Sequence, residues 1–265
     1  MTQALGHAAR YLFLTLFALF LAAPLVVVTG VSFNATRRMS FPPEQWGLRW
    51  WEVFFTDAGW MASFQASLTV AVLAAVIAVS VALPVTYASW RYRSAFGRWL
   101  AFLGSAAFML PPVVMAVVFL IFWGWVGHVG RIENTLLSHA VVFLALPLVT
   151  LSLGFRSIDP SLVEAARTLG AREHDVFRTV VLPIVGPYLI SGFAFVFVLS
   201  LNEYIIAYMV AGFTVETLPV KVFNSLRMGF QPTMCVGAVL FMLVSIVTFS
   251  LVARFSDLPR LMGAR

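Results

Sequence analysis

Long apolar runs alternate with short polar segments along this chain. The runs cover, in chain order, residues 11–32, 64–90, 99–124, 137–155, 188–212 and 234–253. A helix needs about 20 mostly apolar residues to cross a membrane, and each run has roughly that length. The first run is too long for the apolar core of a signal peptide, so we expect an uncleaved anchor. The pattern predicts an all-α integral membrane protein with six transmembrane helices, forming a single domain over residues 1–265.

Several prolines lie within these runs: Pro24, Pro84, Pro111, Pro112 and Pro147. Proline removes a backbone donor and kinks a helix. Buried spans tolerate it where neighbouring groups or water satisfy the freed carbonyls. We expect kinked helices around a pathway, although kinks also occur in purely structural spans.

Composition agrees with a membrane protein, because 61% of the residues are apolar and 11% are charged. Ordinary globular domains carry about 25% charged residues. The net charge is +6, but the cations lie in the short connecting segments and form no single patch, so we expect no nucleic-acid partner. A single cysteine, Cys235, excludes an internal disulfide and a cysteine-cluster metal site.

Lys and Arg are distributed unequally between the two alternating sets of connecting segments. Of the 17, eleven lie in the set that contains both termini and the loop between the fourth and fifth runs. The others lie in the segments 33–63, 125–136 and 213–233. Because cytoplasmic loops carry the excess of Lys and Arg, we expect both termini and that loop in the cytoplasm.

The loop between the fourth and fifth runs, about 156–187, carries helix signals of its own. Asp159 and Pro160 form an N-cap followed by a proline at the first helical position. An apolar face follows with helical spacing, made of Leu162, Ala165, Ala166 and Leu169. Gly170 occupies the position where a left-handed residue ends a helix. A first short amphipathic helix is therefore predicted between Asp159 and Gly170.

A second segment of the same loop begins near Arg172. Its apolar face consists of Val176, Phe177, Val180 and Val181, and Pro183 is expected to end the helix. Neither short helix is stable alone in water, so each must pack on something. The periodicity leaves three supports open: the chain's own helix ends, lipid headgroups, or a partner protein.

The spacing of these residues resembles a known motif. Glu164-Ala165-Ala166, then Gly170, then Leu182-Pro183 is similar to the EAA motif of ATP-binding-cassette (ABC) importer permeases. The resemblance implies the type I importer permease fold in a bacterial inner membrane. The first loop helix would be a coupling helix that docks on an ATPase, with Glu164, Ala165, Ala166, Leu169, Gly170, Leu182 and Pro183 as coupling residues. The implied partners are a second, similar permease, two ATPase subunits, a periplasmic or lipid-anchored solute-binding protein, and membrane lipid.

Catalytic motifs are not found in the sequence. A P-loop requires Gly-x-x-x-x-Gly-Lys-Ser/Thr, and the single lysine, Lys221, follows no glycine loop. We therefore expect no cofactor in this chain, and ATP and Mg²⁺ in the partner ATPase. The four histidines, His7, His128, His139 and His174, show no metal-ligand spacing. The chain is expected to be a transport subunit, without enzymatic activity and without a bound metal.

Glu203 is the only acidic residue within the six apolar runs. A carboxylate inside a membrane is costly unless it is paired or wet, so Glu203 is a functional candidate. Helical spacing places Ser200, Glu203, Tyr204, Ala207 and Tyr208 on roughly one side of the fifth span. A carboxylate beside two tyrosines suits an ammonium group. The alternative is a structural ion pair with an arginine of this chain or of a partner.

Further segments resemble the second permease subunit of spermidine/putrescine importers. They include Ser32-Phe33-Asn34, Leu48-Arg49-Trp50-Trp51 and Thr217-Leu218-Pro219-Val220-Lys221. Such permeases often carry Asp-Glu in the fifth span, where this chain has Asn202-Glu203. The resemblance implies import of a small amine-bearing solute, with polyamine first and aminoalkylphosphonates, opines or similar solutes as alternatives. The substrate pathway would include Ser200, Asn202, Glu203, Tyr204 and Tyr208.

Two other classes of protein remain open at this stage. One is a self-contained secondary transporter in which Glu203 carries a proton, although six spans would require oligomerisation. The other is an intramembrane enzyme, which lacks a recognisable catalytic pair in the sequence.

Overall fold

A computed structural model of the chain describes residues 2–255, and these residues are mainly helical. The helices are α1 (Thr2–Ser32), α2 (Arg49–Thr56), α3 (Ala58–Arg91), α4 (Ala95–Met109), α5 (Pro112–Val126), α6 (Ile132–Val142), α7 (Ala145–Arg156), α8 (Pro160–Thr168), α9 (Glu173–Val176), α10 (Leu182–Asn202), α11 (Ile205–Ala211), α12 (Leu218–Met228) and α13 (Thr233–Phe255). A π-helical segment, Phe177–Val181, joins α9 to α10. Extended pairing in the described part is limited to one isolated bridge, Asn34 with Trp46.

The predicted all-α membrane fold is confirmed, with spans of two kinds. Within residues 2–255, four helical stretches are long and apolar enough to cross a membrane: Arg10–Ser32, Ala58–Arg91, Glu173–Asn202 and Thr233–Arg254. Two bent helix pairs bring the number to as many as six if each pair is one span. The α6–α7 pair bends by 41° and the α4–α5 pair by 112°.

The kink expected from the prolines in the run 99–124 is present, as a complete break between α4 and α5. The chain is extended at Leu110 and Pro111, whose ψ angles are 146° and 138°, and α5 starts anew at Pro112. Two consecutive prolines explain the break, because each lacks a backbone N–H and each disfavours helical backbone in the residue before it. Pro24 and Pro84, in contrast, lie inside α1 and α3, which continue past them.

The fifth span also differs from the expectation, at both ends. Pro183 does not stop the loop helix, because α10 begins at Leu182 and has Pro183 in its first turn. The preceding π-helical segment supplies the wider turn: the Leu182 N–H bonds to the Phe177 carbonyl, five residues back. At the other end α10 stops at Asn202, and Glu203 is extended with φ −79° and ψ 128°. The predicted continuous helix to residue 212 is therefore two helices, α10 and α11.

Contacts divide the chain into two compact units, each with its own interior. One comprises the residues up to 61 together with 222–243. In this unit Trp50 and Phe54 of α2 are buried, and the Trp50 indole N–H donates to the Thr36 carbonyl at 3.0 Å. The buried Asn34 amide donates to the Arg38 carbonyl at 3.0 Å, which closes the loop between α1 and α2. Local hydrogen bonds thus give this loop a defined structure.

The other unit comprises residues 62–221 together with those from 244 onward. Its core combines residues of α3, α7, the turn after α7, α9, the π-helical segment and α10: Ala82, Leu148, Leu151, Phe155, Ile158, Val176, Val181 and Val185. The loop between α7 and α10 is therefore built into the same core as the spans. This core positions both groups of candidate functional residues.

Candidate functional site

The segment 156–187, which runs from the last residue of α7 into the first turns of α10, is called the coupling loop below. Its first helix begins as the sequence predicts: the Asp159 carboxylate accepts the Ser161 N–H at 2.9 Å, and Pro160 is the first helical residue. That backbone hydrogen bond holds the pKa of Asp159 below its ordinary value of 3.8. The helix ends at Thr168, and Gly170 has φ +85°. The predicted start and the predicted left-handed glycine are both confirmed.

The apolar side chains of α8 divide between two environments. Val163 and Ala166 pack against the core of their unit. Leu162 is 48% exposed, Leu169 is 87% exposed, and Ala165 is also exposed. The Glu164 side chain is exposed, and its carboxylate makes no hydrogen bond or ion pair within residues 2–255. Of the predicted apolar face, only Ala166 is turned to the chain's own core, so the rest is available to another molecule.

The second half of the coupling loop is tied to the end of α3. The Glu173 carboxylate accepts hydrogen bonds from Arg91 at 2.8 and 3.2 Å, and it also pairs with Arg167. Beside these ion pairs, the Phe177 ring meets the Tyr87 ring edge-on at 5.2 Å. The sequence interpretation did not single out Glu173 or Arg91, which lie 82 positions apart and only meet in the folded chain.

Glu203 lies at the break between α10 and α11 and is bound on both oxygens. Its Oε1 accepts the Ile206 N–H at 2.9 Å, and its Oε2 accepts the Ala207 N–H at 3.1 Å. The same Oε2 lies 3.0 Å from Nε2 of His139, on α6. The other ring nitrogen of His139, Nδ1, lies 2.7 Å from Oγ of Ser200. His139, Ser200, Glu203 and these two backbone N–H groups are called the Glu203 cluster below.

The Glu203 cluster is almost entirely enclosed by the protein. His139 is fully buried, Ser200 is 5% exposed, and the Glu203 side chain is 10% exposed. A buried carboxylate is stable only when paired and hydrogen-bonded, and Glu203 has both kinds of partner. It also satisfies two donors at the start of α11, which no preceding turn of helix can satisfy.

The remaining predicted pathway residues occupy different positions. The helix breaks at Glu203. The side chains of Ser200, Tyr204 and Tyr208 therefore do not lie along one face of a single helix, and that expectation is wrong. Tyr204 is 38% exposed and precedes α11, which contains Tyr208. The Asn202 amide donates back to the Val198 carbonyl at 2.8 Å, within α10. Ser200 and Glu203 are joined through His139 instead.

His139 is the residue that sequence reasoning missed, although a signal for it exists. It is the only His, Lys or Arg within the six apolar runs, just as Glu203 is the only Asp or Glu. A buried carboxylate needs a partner, and His139 is the one basic side chain at membrane depth that could supply it. The structural pair expected as an alternative is therefore present, with a histidine in place of the expected arginine.

Hydroxyl, imidazole and carboxylate also make up a nucleophilic triad, but the geometry of the Glu203 cluster differs from that of a triad. A triad presents its serine to a substrate carbonyl, whereas Ser200 is buried here. The carboxylate is held by the start of α11 in addition to the imidazole. Within the described residues no group of three or more His, Cys, Asp or Glu side chains could hold a metal ion. The cluster is suited to ion pairing and proton exchange.

Comparison with known proteins identifies the family. The family model described as binding-protein-dependent transport system inner membrane component matches residues 80–258. The putrescine transport system permease protein PotI of Escherichia coli (strain K12) is 32% identical over 261 residues, which covers 92% of this chain and 91% of that protein. The spermidine/putrescine transport system permease protein PotC of the same strain is 26% identical over 243 residues and covers 92% of each chain.

Solved structures support the same fold. A bacterial ABC transporter involved in the import of the acidic polysaccharide alginate contains a chain that matches with a TM-score of 0.71. The match covers 96% of this chain and 97% of that one at 18% identity, so it speaks for the fold alone. With its apolar helices, the chain is a multi-pass membrane protein that acts as a transport subunit. It belongs to the family of binding-protein-dependent transport system inner membrane components.

Proposed function

We propose that this chain is one of two permease subunits of an ATP-driven importer for a small amine-bearing solute, with a polyamine such as putrescine as the first candidate. The part of the proposal that concerns coupling to an ATPase is based on the solvent-exposed face of α8. Leu162, Glu164 and Leu169 are exposed there, while Val163 and Ala166 hold the helix to the core. An ATPase subunit docked on this face would bind ATP and Mg²⁺.

The fold provides a physical route for coupling. Arg167 of α8 pairs with Glu173, and Glu173 is bound to Arg91 at the end of α3. A displacement of α8 by the ATPase would therefore be transmitted to α3. The ring contact of Phe177 with Tyr87 joins the adjacent π-helical segment to the same helix, α3. In the proposed cycle, ATP binding closes the ATPases, moves the helix that contains Glu164 and opens the pathway near Glu203 to the outside. Hydrolysis then resets it, with both termini and the coupling loop on the cytoplasmic side.

The proposed solute is based on the Glu203 carboxylate and on the solutes for which the relatives are named. Two relatives are named for putrescine or spermidine/putrescine transport. Tyr204 directly follows Glu203 at the break, and a carboxylate beside an aromatic ring suits an ammonium group through charge and cation–π attraction. Asn202 is an amide, so the break holds one carboxylate where polyamine permeases often have two. That difference keeps other amine-bearing solutes, including aminoalkylphosphonates and opines, as the second candidate cargo.

Reconstitution of the whole importer tests the proposal. The chain, its partner permease, the ATPase and the solute-binding protein would be placed in proteoliposomes, and uptake of labelled putrescine would be measured. We expect uptake to require both ATP and the binding protein, and Glu203→Gln to lower it. Glu133→Gln, on α6 but outside the cluster, is the matched control. Uptake without an ATPase, driven by a proton gradient, would instead identify a secondary transporter.

A further inference from the structure

The Glu203 cluster already contains a cation-like partner at the position where an ammonium would bind. Oε2 of Glu203 accepts the Ala207 N–H and faces Nε2 of His139, and Oε1 accepts the Ile206 N–H. An ionised carboxylate only accepts hydrogen bonds, so Nε2 must carry a proton and donate. Both backbone donors belong to α11 and stay with it. The imidazole is therefore the one partner of the carboxylate that a side-chain rotation can remove.

Ser200 makes this arrangement compatible with two protonation states of His139. When the ring is neutral with its proton on Nε2, the Ser200 hydroxyl donates to Nδ1. When the ring is charged, Nδ1–H donates to Oγ of the same serine, whose distance of 2.7 Å suits both directions. A hydroxyl can donate and accept, so neither state leaves a ring nitrogen without a partner. The Phe143 ring, at 5.7 Å, packs edge-on against the imidazole in its buried position.

We propose that His139 is a specificity-determining residue that competes with the substrate ammonium for the Glu203 carboxylate. The inference rests on the proposed function, because it concerns the amine pathway of the importer. A cationic substrate binds when it replaces the imidazole at Oε2, and His139 then keeps only its contact with Ser200. A protonated His139 holds the carboxylate by full charge, whereas a neutral one holds it by a hydrogen bond alone. Acid conditions therefore strengthen the competitor.

The surroundings of His139 contain few other titratable groups. Among the helices that contact α6, α5 has no titratable side chain, α4 has only Arg98, α10 has only Tyr188 and α11 has only Tyr208. The break between α10 and α11 adds Tyr204 beside Glu203, and Glu133 lies on α6 itself, about 9 Å along the helix axis. Arg98 lies beside Arg156, at the opposite end of the α6–α7 pair. His139 and Glu203 thus set the charge of the cluster, which offers a single carboxylate to one ammonium group.

The pH dependence of transport by the full importer tests the competition. Putrescine stays protonated from pH 6 to pH 8, since aliphatic amines resemble lysine with a pKa near about 10.4. Histidine is the side chain that changes charge in this range. We expect the KM for putrescine in the wild-type importer to rise at least about threefold from pH 8 to pH 6, with kcat changing less. Two variants separate the ring's contacts.

His139→Gln keeps a neutral donor toward Glu203, and His139→Asn keeps the contact with Ser200 and releases the carboxylate. In both, the KM should lose its dependence on pH, and it should be lowest in His139→Asn. His128→Gln, at a histidine that touches neither Glu203 nor Ser200, should retain the wild-type profile. A wild-type pH profile of the KM in both His139 variants would overturn the proposal.

A direct readout covers the case in which the variants fail to insert. The complete wild-type complex would be labelled with ¹⁵N-histidine in nanodiscs, and the ring signals would be followed by NMR during addition of putrescine. The His139 signals should move while those of His128 do not, and unchanged His139 signals would overturn the competition. If the His139 signals move on addition of putrescine but no amine is imported, the proposed cargo is wrong, whereas the competition between His139 and an ammonium group is retained. If putrescine is imported with the ring and the pH profile unaffected, the proposed function survives and the competition fails.

Discussion

The coupling loop and the Glu203 cluster hold their carboxylates in opposite ways. Glu164 is exposed with its carboxylate open to solvent, and Glu173 is 54% exposed beside two arginines. Glu203 is 10% exposed, and both of its carboxylate oxygens are hydrogen-bonded to protein groups. Solvent-exposed ion pairs contribute about 0–1 kcal/mol, whereas leaving a buried charge without its partner costs about 3–5 kcal/mol.

The difference separates two tasks of one chain. The loop presents a surface whose groups are free to change partners, which suits docking and release of another protein. The cluster holds its charge by fixed donors and one replaceable imidazole, which suits selection of a cation. Mutations of the exposed side chains of the loop should therefore disturb energy coupling with little loss of stability. Mutations in the cluster should disturb stability and cargo recognition together.

Gly170→Pro should give the largest effect on transport. Gly170 has φ +85°, and its N–H donates to the Arg167 carbonyl at 2.9 Å. Proline fixes φ near about −65° and removes that donor, at a cost of about 3 kcal/mol or more. We expect ATP-driven uptake to fall by roughly 100-fold or more while the chain still inserts, since about 1.4 kcal/mol corresponds to a factor of ten.

Gly170→Ala makes the same test more specific. A Cβ at Gly170 meets no atom within 4 Å, so alanine changes the backbone preference without a clash. Left-handed backbone costs a non-glycine residue about 1–2 kcal/mol, so uptake should fall by roughly tenfold. Gly186→Ala is the control, because Gly186 lies inside α10 with equally open space around it. Normal transport by Gly170→Pro would count against the docking role of the loop.

The double variant of Glu203 and His139 should give the next largest effect, on stability. Glu203→Gln removes the charge and leaves one of the two α11 N–H donors facing an amide donor. An unsatisfied buried donor costs about 1–3 kcal/mol. His139 contacts Oε2 of Glu203, which also accepts the Ala207 N–H. The His139→Gln substitution should therefore lower the free energy of unfolding less in the Glu203→Gln background than in the wild type. Unfolding of the purified complex would be followed for all four proteins of the cycle.

The expected coupling free energy is about 1 kcal/mol or more, within the range for residues that share a hydrogen-bond network. His128→Gln combined with Glu203→Gln serves as the reference pair and should be additive. Additivity of the His139 and Glu203 effects to within about 0.5 kcal/mol would show that the two side chains act independently. Such a result would also remove the physical basis for competition at Oε2.

The sequence predicts these two regions unequally well, for a physical reason. The start of α8 at Asp159-Pro160 and its end before Gly170 depend on residues within one or two turns, so the chain's local chemistry determines them. The pairing of His139 with Glu203 spans 64 positions and depends on how α6 meets the break between α10 and α11. Apolar periodicity carries no information on that register. The position of Glu203 within an apolar run indicated that its carboxylate needs a partner, but not where in the chain that partner lies.

The two helix breaks also differ in how well local sequence predicts them. Consecutive prolines at 111 and 112 are a local signal, and the bend between α4 and α5 follows from them. The end of α10 at Asn202 has no proline or glycine to announce it. There the Glu203 side chain binds the N–H groups of Ile206 and Ala207 and so stabilises a new helix start. A helix-forming, apolar sequence therefore concealed a break that tertiary contacts with His139 maintain.

Asp159→Asn should give the smallest effect, and only at low pH. The hydrogen bond from the Ser161 N–H keeps the pKa of Asp159 below 3.8, so this carboxylate stabilises the start of α8 above that value. The stabilisation is lost as the pH falls through the lowered pKa of the folded state. Asparagine caps a helix about as well as aspartate and does not titrate. Hydrogen exchange of the α8 amides in the purified complex, corrected for intrinsic rates, should therefore accelerate below about pH 4 in the wild type and stay level in Asp159→Asn. Equal acceleration in both proteins would mean that another acidic group controls the start of the docking helix, and that the exposed loop depends on more than its own local cap.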